Sequence, residues 1–382
     1  MEPNLVANVI EAEKVGSNER VDIVVQLSRA PHHVVYGKSA KSTGLDGDWS
    51  GVRRYCLTQS PSKKKIKSQP VASSDAPPNH GSSHTLSDFL RWGMENYPAR
   101  HYMVVIGDHG QGFAGTGFDY LHKDVLDPGE LKEALAQSPV KPDVVMMDAC
   151  EMGAVEIAYQ IREQAGILIA SEEIIGLGGL PHRQLLEYLQ QNPHSSPTQL
   201  ARQIVSIASE DTINSVDRGK DPATEQLAAL RLDRTPAMVE SIADLGKALA
   251  KSKVSGARLK EIIGDTQSFN LGSQRKPDCD YRDLGHFATL LQDECDDPVV
   301  QEAAALVRKT LKAVVLENHC SGEEVSDGNG LSVYLPPHAI EANPKRTAPN
   351  GKSVIAISDF TYEQTDFDQA TGWSKWLRAK LK

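Results

Sequence analysis

Two residues in this chain, His109 and Cys150, have the types and the placement to do covalent chemistry. Each follows a short apolar run that breaks abruptly into small and polar residues. Residues 103–106 run into Gly107-Asp108-His109-Gly110, and residues 144–147 run into Asp148-Ala149-Cys150. A thiolate is a nucleophile and an imidazole can carry its proton, so together they could form and break an acyl bond. A lone cysteine behind a buried strand also fits a small core side chain, and a histidine in a turn also fits a surface group. A helix beginning after Cys150 would aim its positive end at the sulfur and pull the thiol pKa below its free value of about 8.5. Asp148 and Glu151 oppose that shift, so those carboxylates need another purpose. Glycines beside His109 let backbone approach a substrate and supply N–H donors to an oxyanion.

The elements that must position this pair are legible around it. An apolar run bounded by turn residues reads as a strand buried on both faces. Between the two runs lie a turn-rich stretch and a short helical pattern at 130–137, giving strand, crossover, strand. Such a crossover makes the strands parallel, with their C-terminal ends on one edge, where open α/β sheets place their sites. Outward from there, 4–14 reads as a helix, 21–27 as a buried strand and 52–57 as a more exposed one. Residues 58–84, rich in Ser, Pro and Lys, read as an exposed loop. An amphipathic helix is expected over 85–97 with Thr85 or Ser87 as its cap. Helix is expected after Cys150 over 152–164, then a strand at 167–171 and a helix from 183.

Strand–helix alternation over 21–190 therefore predicts a doubly wound, mostly parallel α/β sheet flanked by helices. From about 195 the pattern turns helical, at 198–211, 224–250 and 298–316, with short strands at 331–335 and 354–357 and a closing helix at 371–381. The division expected is a core at 1–195 and a helix-rich C-terminal region at 196–382.

Composition narrows the function classes. A net charge of −10 over 382 residues argues against a general nucleic-acid binder, whose footprint would be basic. No apolar run approaches the roughly 18–20 residues that span a bilayer. The first residues lack a basic start and an apolar core, so no secretory signal is expected and a cytoplasmic address is the default. Five scattered cysteines do not suggest a disulfide framework.

Other patterns read as structure. Gly110–Gly115 matches the GxGxxG dinucleotide fingerprint, but that motif must open directly into a helix, and the residues that follow are loop-like. His319 and Cys320 are sequence neighbours whose side chains need not converge. Cys279 and Cys295 lack metal-ligand spacing. The acidic groups at 293–294, 296–297 and 323–324 match no calcium loop and read as solvated turns. No metal ligands are assigned.

With these residues in view, the chain resembles the clostripain-like cysteine peptidases, which have a caspase-like fold. The resemblance lies in LSDFLRWGMENYPARHYMVVIGDHGQGF, DVVMMDACEMGAVEIAY, ASEE at 170–173 with GG at 178–179, YRDLGHFA at 281–288 and TDFDQATGWSKWL near the end. It implies peptide-bond hydrolysis, with His109 as acid/base, Cys150 as nucleophile, and the Gly110 and Cys150 backbone N–H groups as oxyanion donors. It also implies protein or peptide substrates cut after Arg or Lys, with Asp148 pairing the basic side chain. Self-processing between histidine and cysteine is implied too, expected after Lys123, with Lys63–Lys67 as the rival target. No cofactor is required for that chemistry; calcium dependence occurs in the family, and nothing in the sequence fixes ligands for it. Family members usually begin with a further strand ahead of the equivalent of Asn4-Leu5. Here a proline and an aspartate common in the loop after ASEE are missing, which bears on the shape of the specificity pocket. The alternative from another class is a proteolytically silent relative that binds peptides or partners.

Overall fold

A computed structural model describes residues 2–31, 44–217, 226–269, 281–336 and 360–381. The strands are β1 (Val24–Arg29), β2 (Gly51–Cys56), β3 (Pro70–Ser74), β4 (Met103–Gly107), β5 (Thr116–Asp119), β6 (Asp124–Leu126), β7 (Val144–Asp148), β8 (Ile167–Ala170), β9 (Gln226–Arg231), β10 (Tyr281–Asp283), β11 (Val315–Cys320) and β12 (Ser332–Tyr334). Five of them form the central sheet in the order β11-β9-β8-β7-β4. The β4–β7 and β7–β8 pairings are parallel, and β8–β9 and β9–β11 are antiparallel. The result is a mixed α/β sheet flanked by helices.

The unbroken apolar runs in this sheet follow from burial of both faces. Along β7, Val145 and Met147 enter one core with Leu168 and Ala170 of β8, while Val144 and Met146 enter a second with Ile167 and Ile169. Alternate side chains point to opposite faces, so a strand covered on both sides shows no polar alternation. Leu227 and Ala229 of β9 join the second core, and Ala228 and Leu230 join the first. The helices Thr235–Lys251, Leu284–Glu294 and Pro298–Val314 cover the first face, and Pro197–Asp217 covers the second.

Several expectations are corrected. The strand expected at 21–27 does not enter the central sheet: β1 pairs antiparallel with β2 in a separate three-stranded sheet. The stretch 58–84 is largely exposed as its composition implies, with Ser60 and Ser68 buried, yet it holds β3, whose five side chains are all exposed while its backbone pairs with β2. Main-chain hydrogen bonds need no apolar side chains on an edge strand. The helix expected over 85–97 runs Ser83–Asn96, and its cap is Ser82, whose hydroxyl accepts from His84 N. The helical reading of 224–250 fails at its start, which is β9. Leu and Ala are good helix formers, but two packed cores outweigh that preference. Likewise the helix at 298 ends at Val314 and the chain runs straight on as β11. The strand expected at 354–357 lies outside the described residues. No helix among the described residues is long and apolar enough to cross a membrane.

Candidate active site

The register of β4 on β7 brings His109 and Cys150 together. Ile106 pairs with Met147 and Gly107 with Asp148. Each candidate residue lies two positions beyond its strand tip, so the two depart from the same edge in phase. The tips pack backbone to backbone. A Cβ on Gly110 would clash with the carbonyl oxygen of Cys150 and lie 2.9 Å from Met152 Cγ, so only glycine fits there. Gly107 is in turn approached by Leu5 of the helix Glu2–Glu13, whose Cδ2 would lie 3.3 Å from a Cβ at that position.

His109, Asp148 and Cys150 line one cavity of ≈ 270 Å³, whose wall also includes Asn4, Leu5, Asn8 and residues 174–177 and 179. The His109 ring meets Phe118 edge-on at 6.3 Å, and its carbonyl accepts from Thr116 Oγ1 at 2.7 Å. The hairpin β5–β6 thus holds the histidine from behind. Burial pushes the imidazole pKa down, which leaves a neutral ring at neutral pH, able to accept a proton. Beside it, Asp108 is half-buried as a residue, and loss of hydration pushes its carboxyl up to about 7.

Cys150 differs from expectation. The helix after it begins only at Val155, is six residues long, and has no side-chain cap. The intervening turn carries Glu151 at a left-handed φ of 58° and is tied to the end of β8 by Glu151 N–Glu173 O at 3.1 Å and Gly153 N–Ser171 O at 2.7 Å. The helix N-terminus thus lies several residues beyond Cys150 along the chain. Burial instead pushes the thiol pKa up; the Ile175 N–H, donating to Sγ at 3.3 Å, works against this, and Glu151 and Glu173 reinforce it.

Asp148 is 4% exposed and has partners for both oxygens. Leu180 N donates to Oδ1 at 3.1 Å, and His182 Nε2 lies 2.7 Å from Oδ2. His182 escaped the sequence analysis: it opens an amphipathic helix, His182–Gln191, and only the fold of the preceding loop turns it toward the strand tip. The ASEE segment proves to be support. Glu172 is fully buried, accepting from Gly330 N at 2.9 Å, and Glu173 Oε1 accepts from Ile174 N at 2.7 Å.

Lys123 is exposed at the tip of the β5–β6 hairpin with φ 58°. Asp119 Oδ1 ties the N-terminal side of that tip, accepting from Leu121 N at 2.9 Å and His122 N at 2.8 Å. The glycine run at 110–115 leads into a single 3-10 turn, Gly112–Ala114, and then β5, so it opens no helix for a dinucleotide. His319 and Cys320 point apart: His319 Nδ1 meets Ser209 Oγ at 2.9 Å, while the Cys320 thiol lies 3.4 Å from Gly328 O and is pushed up to about 12 by burial. Cys295 is buried, and Cys279 lies outside the described residues. Among the described residues no group of three or more His, Cys, Asp or Glu side chains could hold a metal ion, so calcium is given no ligands.

The profile of the clostripain family matches residues 10–379. The chain belongs to the clostripain family. Clostripain of Hathewaya histolytica is 24% identical over 254 residues, which is 58% of this chain and 45% of that relative, so the match spans less than half of the relative's length. Among solved structures, a secreted C11 cysteine protease from Bacteroides thetaiotaomicron in complex with an irreversible peptide inhibitor superposes with a TM-score of 0.62 at 17% identity, over 97% of this chain and 95% of that one. An inactive zymogen C11 protease from Parabacteroides distasonis gives 0.63 at 16%, over 96% and 94%. At these identities the clostripain-family structures show a shared fold.

Proposed function

We propose that this chain is a cysteine endopeptidase that cuts after Arg or Lys through a dyad of His109 and Cys150. One observation carries the reading: both residues leave the same sheet edge in phase and line one cavity. In this scheme Cys150 Sγ attacks the scissile carbonyl carbon as His109 accepts the thiol proton. The tetrahedral oxygen is held by the Gly110 and Cys150 backbone N–H groups. His109 passes the proton to the departing amine, leaving a thioester. Water, deprotonated by His109, then releases the acid and restores the thiol. The neutral imidazole that burial maintains suits this acceptor role.

Asp148 is assigned the basic side chain on the acyl side of the cut, because a near-buried carboxylate two residues before the nucleophile matches a guanidinium fork. Lys123 is assigned as the site of self-cutting; a relative of this fold is described as a zymogen.

The test is hydrolysis of short fluorogenic peptides ending in Arg, Lys or Leu. Wild type is expected to turn over the basic peptides, and Cys150→Ala and His109→Ala to lose about 10²-fold or more. A second reading, a silent relative that binds peptides, is favoured by the raised thiol pKa and by the engaged Asp148. Peptide binding by wild type with no turnover under reducing conditions, with or without calcium, would establish that reading and sink the peptidase.

A further inference from the structure

The two partners of Asp148 come from one short segment of the chain. Gly179 N bonds Gly176 O at 2.9 Å, and Leu180 O accepts from His182 N at 2.7 Å, so residues 176–182 form a folded strap across the carboxylate. The strap approaches closely. A Cβ on Gly179, which has φ +70°, would lie 2.6 Å from Asp148 Oδ2 and 2.5 Å from Asn8 Nδ2. The His182 side chain is 16% exposed and that of Asp148 3%, so the pair is largely shielded from solvent, while Asp148 still lines the cavity shared with Cys150. Among the described residues no lysine or arginine pairs with Asp148. The carboxylate's requirement for donors is met by a backbone amide on Oδ1 and by an imidazole on Oδ2.

We propose that His182 is a specificity-determining residue that occupies the basic-residue subsite from within. This rests on the assignment of Asp148 in the proposed function and deepens it. With Nε2 protonated, the imidazole donates to the oxygen that an incoming cation needs. A guanidinium fork needs an open lone pair on each carboxylate oxygen, and the imidazole takes one on Oδ2, so an Arg side chain must compete with His182 to dock. A lysine ammonium is a point donor, satisfied by one oxygen and free to approach it beside the imidazole. His182 therefore penalises Arg more than Lys and sets the ratio between them. The Leu180 amide is backbone and stays as a fixed donor, holding the carboxylate in place when the imidazole swings away.

The test uses n-butylguanidine and n-butylamine as stand-ins for the two side chains, with binding measured calorimetrically on the full chain carrying Cys150→Ala. His182→Ala is expected to tighten n-butylguanidine about tenfold, the scale of one hydrogen bond to a charged group, and n-butylamine by less. His182→Gln, whose Nε2 replaces the imidazole donor, is expected to return affinity to the wild-type level. In the catalytically intact chain the preference for Arg-ended over Leu-ended peptides should rise by the same factor, through KM. Unchanged or weaker n-butylguanidine binding in His182→Ala overturns the proposal, since the imidazole would then be supporting Asp148 instead of competing for it. If His182→Ala does not fold, His182→Asn, too short to reach Oδ2, carries the same expectation. Asp148→Asn separates the two layers. Loss of guanidine binding there, with no gain from His182→Ala, defeats the competitor role alone; retention of binding there defeats the subsite assignment itself.

Discussion

The carbonyl oxygen of Cys150 occupies the space where Gly110 would carry a side chain, so the histidine tip and the cysteine tip are in backbone contact. The contact is between main chains, which cannot rotate aside as the end of a long side chain can. Gly110→Ala should therefore part the two tips. The expected result is a loss of at least tenfold in kcat/KM on Arg-ended peptides and a destabilisation of about 1–3 kcal/mol. Kinetics and denaturant melts of the variant check both. Full activity in Gly110→Ala would mean that the tips tolerate separation.

Cys150 should behave as a protonated thiol at rest. Burial raises its pKa, so the thiolate fraction at neutral pH is smaller than for an exposed cysteine. Alkylation by iodoacetamide, followed peptide by peptide by mass spectrometry, should keep rising with pH through and beyond about 8.5, the free-thiol value. A plateau already reached near pH 6 would reveal a stable thiolate–imidazolium pair and contradict this.

Glu156 predicts a pH-dependent stability. Its Oε1 accepts from Tyr334 N at 2.9 Å and Tyr362 Oη at 2.7 Å, and its Oε2 is buried with no partner within the described residues. Burial pushes its pKa up to about 7, above the ordinary value of about 4.3. Between those values the folded chain holds a proton that the unfolded chain has released. Its contribution is thus complete below about pH 4 and is lost as pH rises through 7, a change of roughly 4 kcal/mol at most. Glu156→Gln cannot ionise and should flatten the fall in stability between about pH 4 and 7. Parallel slopes for variant and wild type, from melts at several pH values, would remove Glu156 as the cause.

Self-processing at Lys123 would show as two bands for wild type on a denaturing gel and one for Cys150→Ala. Lys123→Ala should also stay whole. Cutting that persists in Lys123→Ala would move the site, with the exposed lysines at 63–65 the next to examine.

The pair of strand tips was legible because burial on both faces leaves an unbroken apolar run, and because glycine must follow His109 where Cys150 packs. β9 and β11 were hidden for a different reason. QLAALR carries no strand signature of its own, and its state is fixed by the two cores it separates. VLENHC follows a helix with no breaker between them. The electrostatics of Cys150 were misjudged because sequence spacing cannot tell a helix starting at Met152 from one delayed to Val155 by a turn pinned to β8. His182 could not have been found by pattern at all. Its meeting with Asp148 depends on a loop whose path is set by Gly179 and by contact with Asn8.

Lys123 lies between β4 and β7 in sequence, so a break there would leave the imidazole on one polypeptide and the sulfur on another. What would hold the halves in register is the β4–β7 ladder, together with β5 on β6 and Asn79 Nδ2 on Asp124 Oδ2 at 2.6 Å, each spanning the break. The processed form would then be an obligate heterodimer sharing one active centre. Its activity would survive scission and vanish only when the two pieces are pulled apart, and neither purified piece could regain it alone.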